Sequence, residues 1–194
     1  MPDNSLEDQK QAHIQRVKDQ VALVSNRLSG NVSNILDIGA GVAEHGRAFQ
    51  DRFGSTLWIV EGHAENNKNK KSTAVKSKFR QSSDDFLYYH DLATLDARIK
   101  NLGGKNYHLI DCENLQVIPE DMKFDLITSW KSCGFHYPVN SYADLIKKHI
   151  HANSLIVMDI RVIKGQLQLD HGWSIVEQLY KHKDKYVSCI IKFE

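Results

Sequence analysis

Between Asn34 and Gly46 the chain reads NILDIGAGVAEHG. A short run suited to a buried strand ends at a carboxylate, Asp37, and Gly39 and Gly41 follow almost at once. Glycines just past a strand let the backbone take positive φ and allow another group to approach it closely. A tight strand-to-helix turn would explain this stretch, and so would a turn shaped around a ligand. The segments on either side decide between them.

Upstream, Ile14, Val17, Val21, Val24 and Leu28 recur at three and four residues and draw one apolar stripe on a helix. Ser5 with Asp8 reads as its N-cap pair and Gly30 as its stop. Downstream, AEHGRAFQDRF reads as a helix ending near Gly54, and TLWIVEG as a second strand ending in Glu61 and Gly62. The polar, basic stretch from His63 to Gln81 reads as a solvated helix or a mobile segment. DLATLDARIKNLGG is a helix with Asp91 as N-cap and Gly103 as stop. NYHLIDC and KFDLITSW are the third and fourth strands, SYADLIKKHI a helix capped by Ser141, and NSLIVMDIR the fifth strand. GWSIVEQLYKH reads as a helix and KYVSCIIKFE as a last strand.

This alternation predicts an α/β fold with a mostly parallel, doubly wound, Rossmann-like sheet covered by helices on both faces. Residues 1–30 form an N-terminal helix expected over the cleft as a lid, and residues 31–194 form the domain proper. With 194 residues, the chain can bury a core without disulfides or metal. Its net charge of +1 favours no particular partner. Three widely spaced cysteines without a CxxC pair suit a reduced compartment, and the polar N-terminus is not a signal peptide. A cytoplasmic location without membrane contact is the expectation.

In open parallel sheets, ligands bind beyond the carboxyl ends of the strands, where strand order reverses. Here those ends are Asp37-Ile38-Gly39-Ala40-Gly41, Glu61-Gly62, Asp111-Cys112, Ser129-Trp130-Lys131 and Asp159-Ile160-Arg161. A carboxylate at one strand end can be a helix cap or a solvated boundary residue. Here three of the first four ends carry one. Glu61 lies roughly two dozen residues beyond Gly39, the spacing of an acid that accepts hydrogen bonds from a ribose. A dinucleotide site would continue as GxGxxG or GxGxxA, but the last place is Glu44. A carboxylate there, with Asp37 before the turn, would repel a pyrophosphate. Both suit a ligand without phosphate and with a cationic centre.

On these residues the sequence resembles the class I, Rossmann-like methyltransferases that use S-adenosylmethionine. LDIGAGVA matches their first motif, with Ala43 in place of the third glycine. The resemblance runs from Ile35 to about Arg161 and implies a cofactor site at Asp37, Gly39, Ala40, Gly41, Glu61, Gly62, Asp111, Cys112 and Ser129. Within it, Glu61 would hold the ribose hydroxyls. Asp111 would meet the adenine amino group, with the Cys112 amide at the ring. After the fifth strand the family usually has a hairpin, whereas one strand is expected here.

The acceptor half is read from SWKSCGFHYP, after the fourth strand. It lacks the Pro-Pro-aromatic motif of amino-methylating nucleic-acid enzymes and the Pro-Cys of cytosine-C5 enzymes. Acidic metal ligands of the catechol type are missing there too, and no metal is expected. Asp125 starts the fourth strand rather than ending it, unlike the Lys-Asp-Lys-Glu pattern of ribose 2′-O-methylation. Cys133 reads as a packing residue. His136 is the candidate base for a hydroxyl acceptor, since an imidazole titrates near neutrality. Lys131 is the candidate to stabilise an oxyanion, and Trp130, Tyr137 and Arg161 are candidate substrate contacts. The bland alternative is a structural His-Tyr-Pro turn. The reading is therefore methyl transfer to a hydroxyl of a small, sugar-like or similar metabolite. Two alternatives stand beside it. One is a nucleic-acid methyltransferase using the basic stretch from Lys68 to Arg80; the other is a methyltransferase-like binding subunit without turnover.

Overall fold

The computed structural model describes residues 6–62 and 91–194. The basic stretch from Lys68 to Arg80, and Ser5 of the expected cap, lie outside these residues. Helix α1 spans Leu6–Ser25, strand β1 Asn34–Ile38, helix α2 Glu44–Phe53 and strand β2 Thr56–Glu61. Helix α3 (Leu92–Asn101), β3 (Tyr107–Asp111), β4 (Leu126–Ser129) and β5 (Ser132–Tyr137) follow. Helix α4 (Ala143–His149) precedes β6 (Leu155–Ile163), the short β7 (Gln166–Leu167), β8 (Trp173–His182) and β9 (Tyr186–Phe193).

The main sheet runs β3-β2-β1-β4-β6-β9-β8, with β7 paired to β6. From β3 through β6 every pairing is parallel; β9 runs antiparallel to β6, and β8 antiparallel to β9. The chain leaves β1 towards β2 and returns on the other side at β4. The carboxyl ends of β1 and β4 therefore flank the switch point where such sheets hold ligands. The central strands are buried along nearly their whole length, as a sheet covered on both faces requires. Helices α1, α2 and α3 cover one face through Val17, Val21, Val24, Phe49, Leu95 and Ile99. On the other face, α4 adds Leu145 and Ile146 to a core with Phe124 and Ile127.

The stripe on α1 is buried in its second half, but Ile14 is exposed. Gln20 hydrogen-bonds Ser188 on β9, and His13 pairs with Glu44 at the start of α2. The helix thus runs with its N-terminal half towards the carboxyl edge of the sheet. It ends at Ser25, before the expected stop at Gly30.

Three local expectations are corrected. Segment GWSIVEQLYKH is strand β8, so the C-terminal region is a hairpin rather than a helix and a strand. Its Ile175-Val176 and Leu179-Tyr180 pairs have helical spacing. The structure instead places register shifts between Ile175 and Glu177 and between Gln178 and Tyr180. Each bulge resets the alternation, which hides the period of two. Segment SCGFHY is strand β5 rather than a loop. Ser141 does not cap α4; a 3-10 turn over Val139–Tyr142 leads into that helix without a side-chain cap. At α3 the expectation holds, since Asp91 accepts a bond of 3.1 Å from the Ala93 amide.

Candidate functional site

The turn after β1 has Gly39 at φ 64° and Gly41 at φ 55°. Ala43 also takes the left-handed conformation, at φ 52° just before α2, so the family's third glycine position keeps its backbone shape here despite a side chain. The Gly39 amide donates to the Val60 carbonyl at 2.7 Å, which ties the turn to the end of β2. Glu61 then clasps it: Oε2 accepts from the Gly41 amide at 2.7 Å and Oε1 from the Gly62 amide at 3.0 Å. A Cβ built on Gly41 would meet nothing within 4 Å, so this backbone faces open space. Asp111 lies beside Glu61 in the parallel register, and the Cys112 amide donates to the Glu61 carbonyl at 2.9 Å. Asp111 Oδ1 accepts from the Glu113 amide at 3.0 Å. The ends of β1, β2 and β3 thus present Gly39, Ala40, Gly41, Glu61, Gly62, Asp111 and Cys112 along one edge.

Two residues assigned to this surface lie beneath it. Asp37 is 1% exposed and takes a 2.9 Å bond from Thr128 Oγ1. It also accepts from the Gly46 amide in the first turn of α2. Ser129 is buried, donates to the Ile38 carbonyl at 2.8 Å and accepts from the Cys133 amide at 2.8 Å. They hold β1, β4 and the start of β5 together and do not line the cleft. Asp37 therefore has no face with which to repel a pyrophosphate. Of the two carboxylates assigned that effect, Glu44 remains, half-exposed and paired with His13.

Burial raises the Asp37 carboxyl from its ordinary 3.8 to about 7, against the hydrogen bonds from Thr128 and Gly46 that favour the ion. The unfolded carboxyl ionises near 3.8. The neutral folded acid therefore contributes stability that is complete below that value and lost as pH rises through about 7. Asp37→Asn keeps an acceptor for Gly46 and removes the charge. It should be more stable than the parent by on the order of 2 kcal/mol near pH 8, and by much less near pH 5. Urea melts at the two pH values check this; an equal effect at both would show that Asp37 is already ionised at the lower one.

The turn after β4 is built tightly onto the glycine turn. A Cβ placed on Gly39 would lie 1.8 Å from Ser132 Oγ and 2.9 Å from the Tyr137 hydroxyl. Those two hydroxyls hydrogen-bond at 2.7 Å. Tyr137 thus stands against the glycine turn together with Ser132, which the sequence reading passed over. His136 is the preceding residue of the strand. Its ring meets Phe135 edge-on at 4.8 Å. Burial and the Arg161 charge lower its pKa, so the imidazole is neutral at neutral pH. The Arg161 guanidinium lies 5.2 Å from the Phe135 ring centroid. The Cys133 thiol is fully buried and its pKa is pushed up, which suits packing rather than nucleophilic attack.

Lys131 takes a left-handed backbone, φ 54°, and its amide donates to Asp159 Oδ2 at 3.1 Å. Its ammonium pKa is lowered, first by burial and then by Arg16. Trp130 stacks on His45, with centroids 4.2 Å apart and planes at 12°. His45 holds Gln20 at 3.0 Å and is driven down to about 3, chiefly by burial, so it is neutral. A polar chain therefore runs from Trp130 and His45 through Gln20 and Ser188 to Asp159. The sequence reading found none of Gln20, His45 and Ser188. Helix α1 meets β9 only through pairing of segments 168 residues apart, and no local pattern announces that. Among the described residues no group of three side chains could hold a metal ion, and no helix is long and apolar enough to cross a membrane.

No protein-family model matches the sequence, and no curated protein is significantly similar to it. Solved structures do match in shape. A variant of MtNAS in complex with S-adenosylmethionine superposes with a TM-score of 0.57 at 13% identity, over 93% of this chain and 61% of that one. The ribosomal protein L11 methylase from Lactobacillus delbrueckii subsp. bulgaricus gives 0.55 at 11% identity, over 93% and 79%. The mitomycin 7-O-methyltransferase MmcR gives 0.55 at 10% identity, over 96% and 56%. The chain thus spans about three fifths of the length of the first of these and more than half of the last. Strand order, glycine turn and neighbours agree: this chain has the fold of the class I, Rossmann-like S-adenosylmethionine-dependent methyltransferases.

Proposed function

We propose that the protein binds S-adenosylmethionine and transfers its methyl group to a hydroxyl of a small molecule. The observation that carries the first half is the clasp of Glu61 on the Gly41 amide beside an open backbone face. Each Glu61 oxygen keeps a lone pair, so the carboxylate can accept from a ribose diol while it holds the turn. Gly39 and Gly41 offer backbone without side chains, and Asp111 with the Cys112 amide stands at the next strand end. Bound there, S-adenosylmethionine supplies a methyl group on a sulfonium, a good leaving group for in-line displacement.

The acceptor half rests on this chain's own residues, because the neighbours act, by their names, on a ribosomal protein and on mitomycin. His136, kept neutral by burial and Arg161, is the base that takes the hydroxyl proton. Tyr137 and Ser132 close the wall between the glycine turn and the acceptor. Lys131 stands where charge builds on the acceptor oxygen, and Trp130, braced by His45, excludes water. Residues 6–25 act as the lid, since His13 bridges to Glu44 at the rim of the turn.

Calorimetry with S-adenosylmethionine, S-adenosylhomocysteine and a nicotinamide dinucleotide tests the cofactor. The first two should bind and the third should not; the reverse result would remove the reading. Glu61→Ala should weaken S-adenosylhomocysteine binding by about 1–3 kcal/mol, the usual cost of lost charge-assisted hydrogen bonds. Unchanged affinity would mean that Glu61 serves only to shape the turn.

A further inference from the structure

Gln20 is a polar side chain in an apolar seat. It is 4% exposed on α1, in the stretch where Val17, Val21 and Val24 share a core with Phe49 of α2 and Ile190 of β9. A buried amide costs free energy unless its donor and acceptor ends are both answered. Here each has a partner on a different element. Nε2 donates to Ser188 Oγ on β9 at 3.3 Å, and Oε1 accepts from His45 Nε2 on α2 at 3.0 Å. Sliding α1 by one turn would orphan the amide and the His45 N–H together, so Gln20 admits one register where the valines alone would tolerate several.

The two ends of the amide lead to consecutive residues. From Oε1 the path runs to His45, whose ring stacks on Trp130 with centroids 4.2 Å apart. From Nε2 it runs to Ser188, whose hydroxyl donates to Asp159 Oδ1 at 2.6 Å, while Asp159 Oδ2 accepts from the Lys131 amide at 3.1 Å. The bonds have one consistent sense. An ionised Asp159 takes the Ser188 proton, so Ser188 accepts from Gln20. Gln20 then turns its NH2 to Ser188 and its oxygen to His45, which fixes His45 as the Nε2–H tautomer. The turn at the end of these paths needs bracing. Lys131 holds a left-handed backbone that is costly outside glycine. The Trp130 indole nitrogen is buried without a hydrogen-bond partner among the described residues, so the stack on His45 is what orients its ring.

We infer that Gln20 is a positioning residue that couples the seating of α1 to the Trp130-Lys131 turn, acting through His45 on the Trp130 ring and through Ser188 and Asp159 on the Lys131 backbone. Helix α1 is thereby a working part of the acceptor wall and not only a cover over it. The use made of the turn rests on the methyltransferase reading; the coupling itself does not.

The test is nitrogen-15 NMR on the full chain at about pH 8, where Asp159, raised by burial to about 6, is ionised. The parent should show His45 protonated on Nε2. Gln20→Met removes both ends of the amide and keeps an unbranched side chain in the apolar seat. Exchange of the Lys131 amide should then quicken by at least about ten-fold, the loss of roughly one hydrogen bond, and the Trp130 indole resonance should move. Amides of Val21, Val24 and Ile127 should exchange as in the parent, which shows α1 and the sheet intact. Ser188→Ala cuts the Lys131 branch alone and keeps the test open if Gln20→Met does not fold. It should quicken Lys131 exchange, leave the Trp130 indole and the His45 tautomer unchanged, and add little to Gln20→Met in the double variant. Unchanged Lys131 exchange in either variant overturns the inference, as does a His45 proton on Nδ1 in the parent. Equal quickening of Val21 and Val24 overturns it too, since Gln20 would then only anchor the helix. S-adenosylhomocysteine binding to the parent is measured separately. Its absence would remove the methyltransferase reading and the acceptor-wall role, while Lys131 exchange would still decide the coupling.

Discussion

Gly39→Ala should destabilise the protein by about 3 kcal/mol or more and abolish S-adenosylhomocysteine binding. Two separate costs meet at this position. The residue sits at φ 64°, where an L side chain costs about 1–2 kcal/mol. The added methyl would also lie 1.8 Å from Ser132 Oγ and 2.5 Å from Ser132 Cβ, so β5 or the turn must move. Moving β5 breaks the 2.7 Å bond between Ser132 and Tyr137, and overpacking of this kind typically costs a further 1–3 kcal/mol or about that. A double variant separates the two costs. Gly39→Ala combined with Ser132→Gly removes the overlap with Ser132 but leaves the backbone cost and the lost bond to Tyr137, and should recover only part of the loss in urea denaturation, measured against Ser132→Gly alone. A single variant as stable as the parent would show that β5 is not seated on the glycine turn.

His136→Gln should keep S-adenosylhomocysteine affinity while turnover on a hydroxyl acceptor falls by about 10²–10⁴, the contribution typical of a positioned general base. The imidazole stands on β5 against the Phe135 ring and within reach of the Arg161 charge. Burial and the Arg161 charge both disfavour its protonated form. A base must be neutral to act, so the acid limb of the pH–rate profile should fall below the ordinary histidine value of 6.5. Raising the pH should restore part of the variant's rate as the acceptor itself begins to ionise. A thermal melt is the control, because a residue that only shaped the turn before Pro138 would lower turnover by unfolding it. A folded variant that binds the cofactor product and turns over normally would remove His136 as the base, and an amine acceptor would then fit the site better.

Several features of this fold are legible locally. The apolar runs of β1, β2 and β4, the glycines after β1 and the Asp91 cap of α3 depend on near neighbours in sequence, so periodicity and turn chemistry disclose them. Alternation of strands with helices then implies the parallel sheet, and the strand ends bring Gly39, Glu61 and Asp111 to one edge. Tertiary structure settled what periodicity could not. Asp37 and Ser129 look like site residues in sequence because they stand at strand ends, yet packing of α2 and β5 over them makes them buried struts. Segment GWSIVEQLYKH has helical spacing, and only pairing with β9 across two register shifts makes it a strand. The polar chain through Gln20, His45, Ser188 and Asp159 joins residues from opposite ends of the chain. Local sequence carries the shape of each element. Which side chains are desolvated, and which charges face one another, is decided when distant elements close over them.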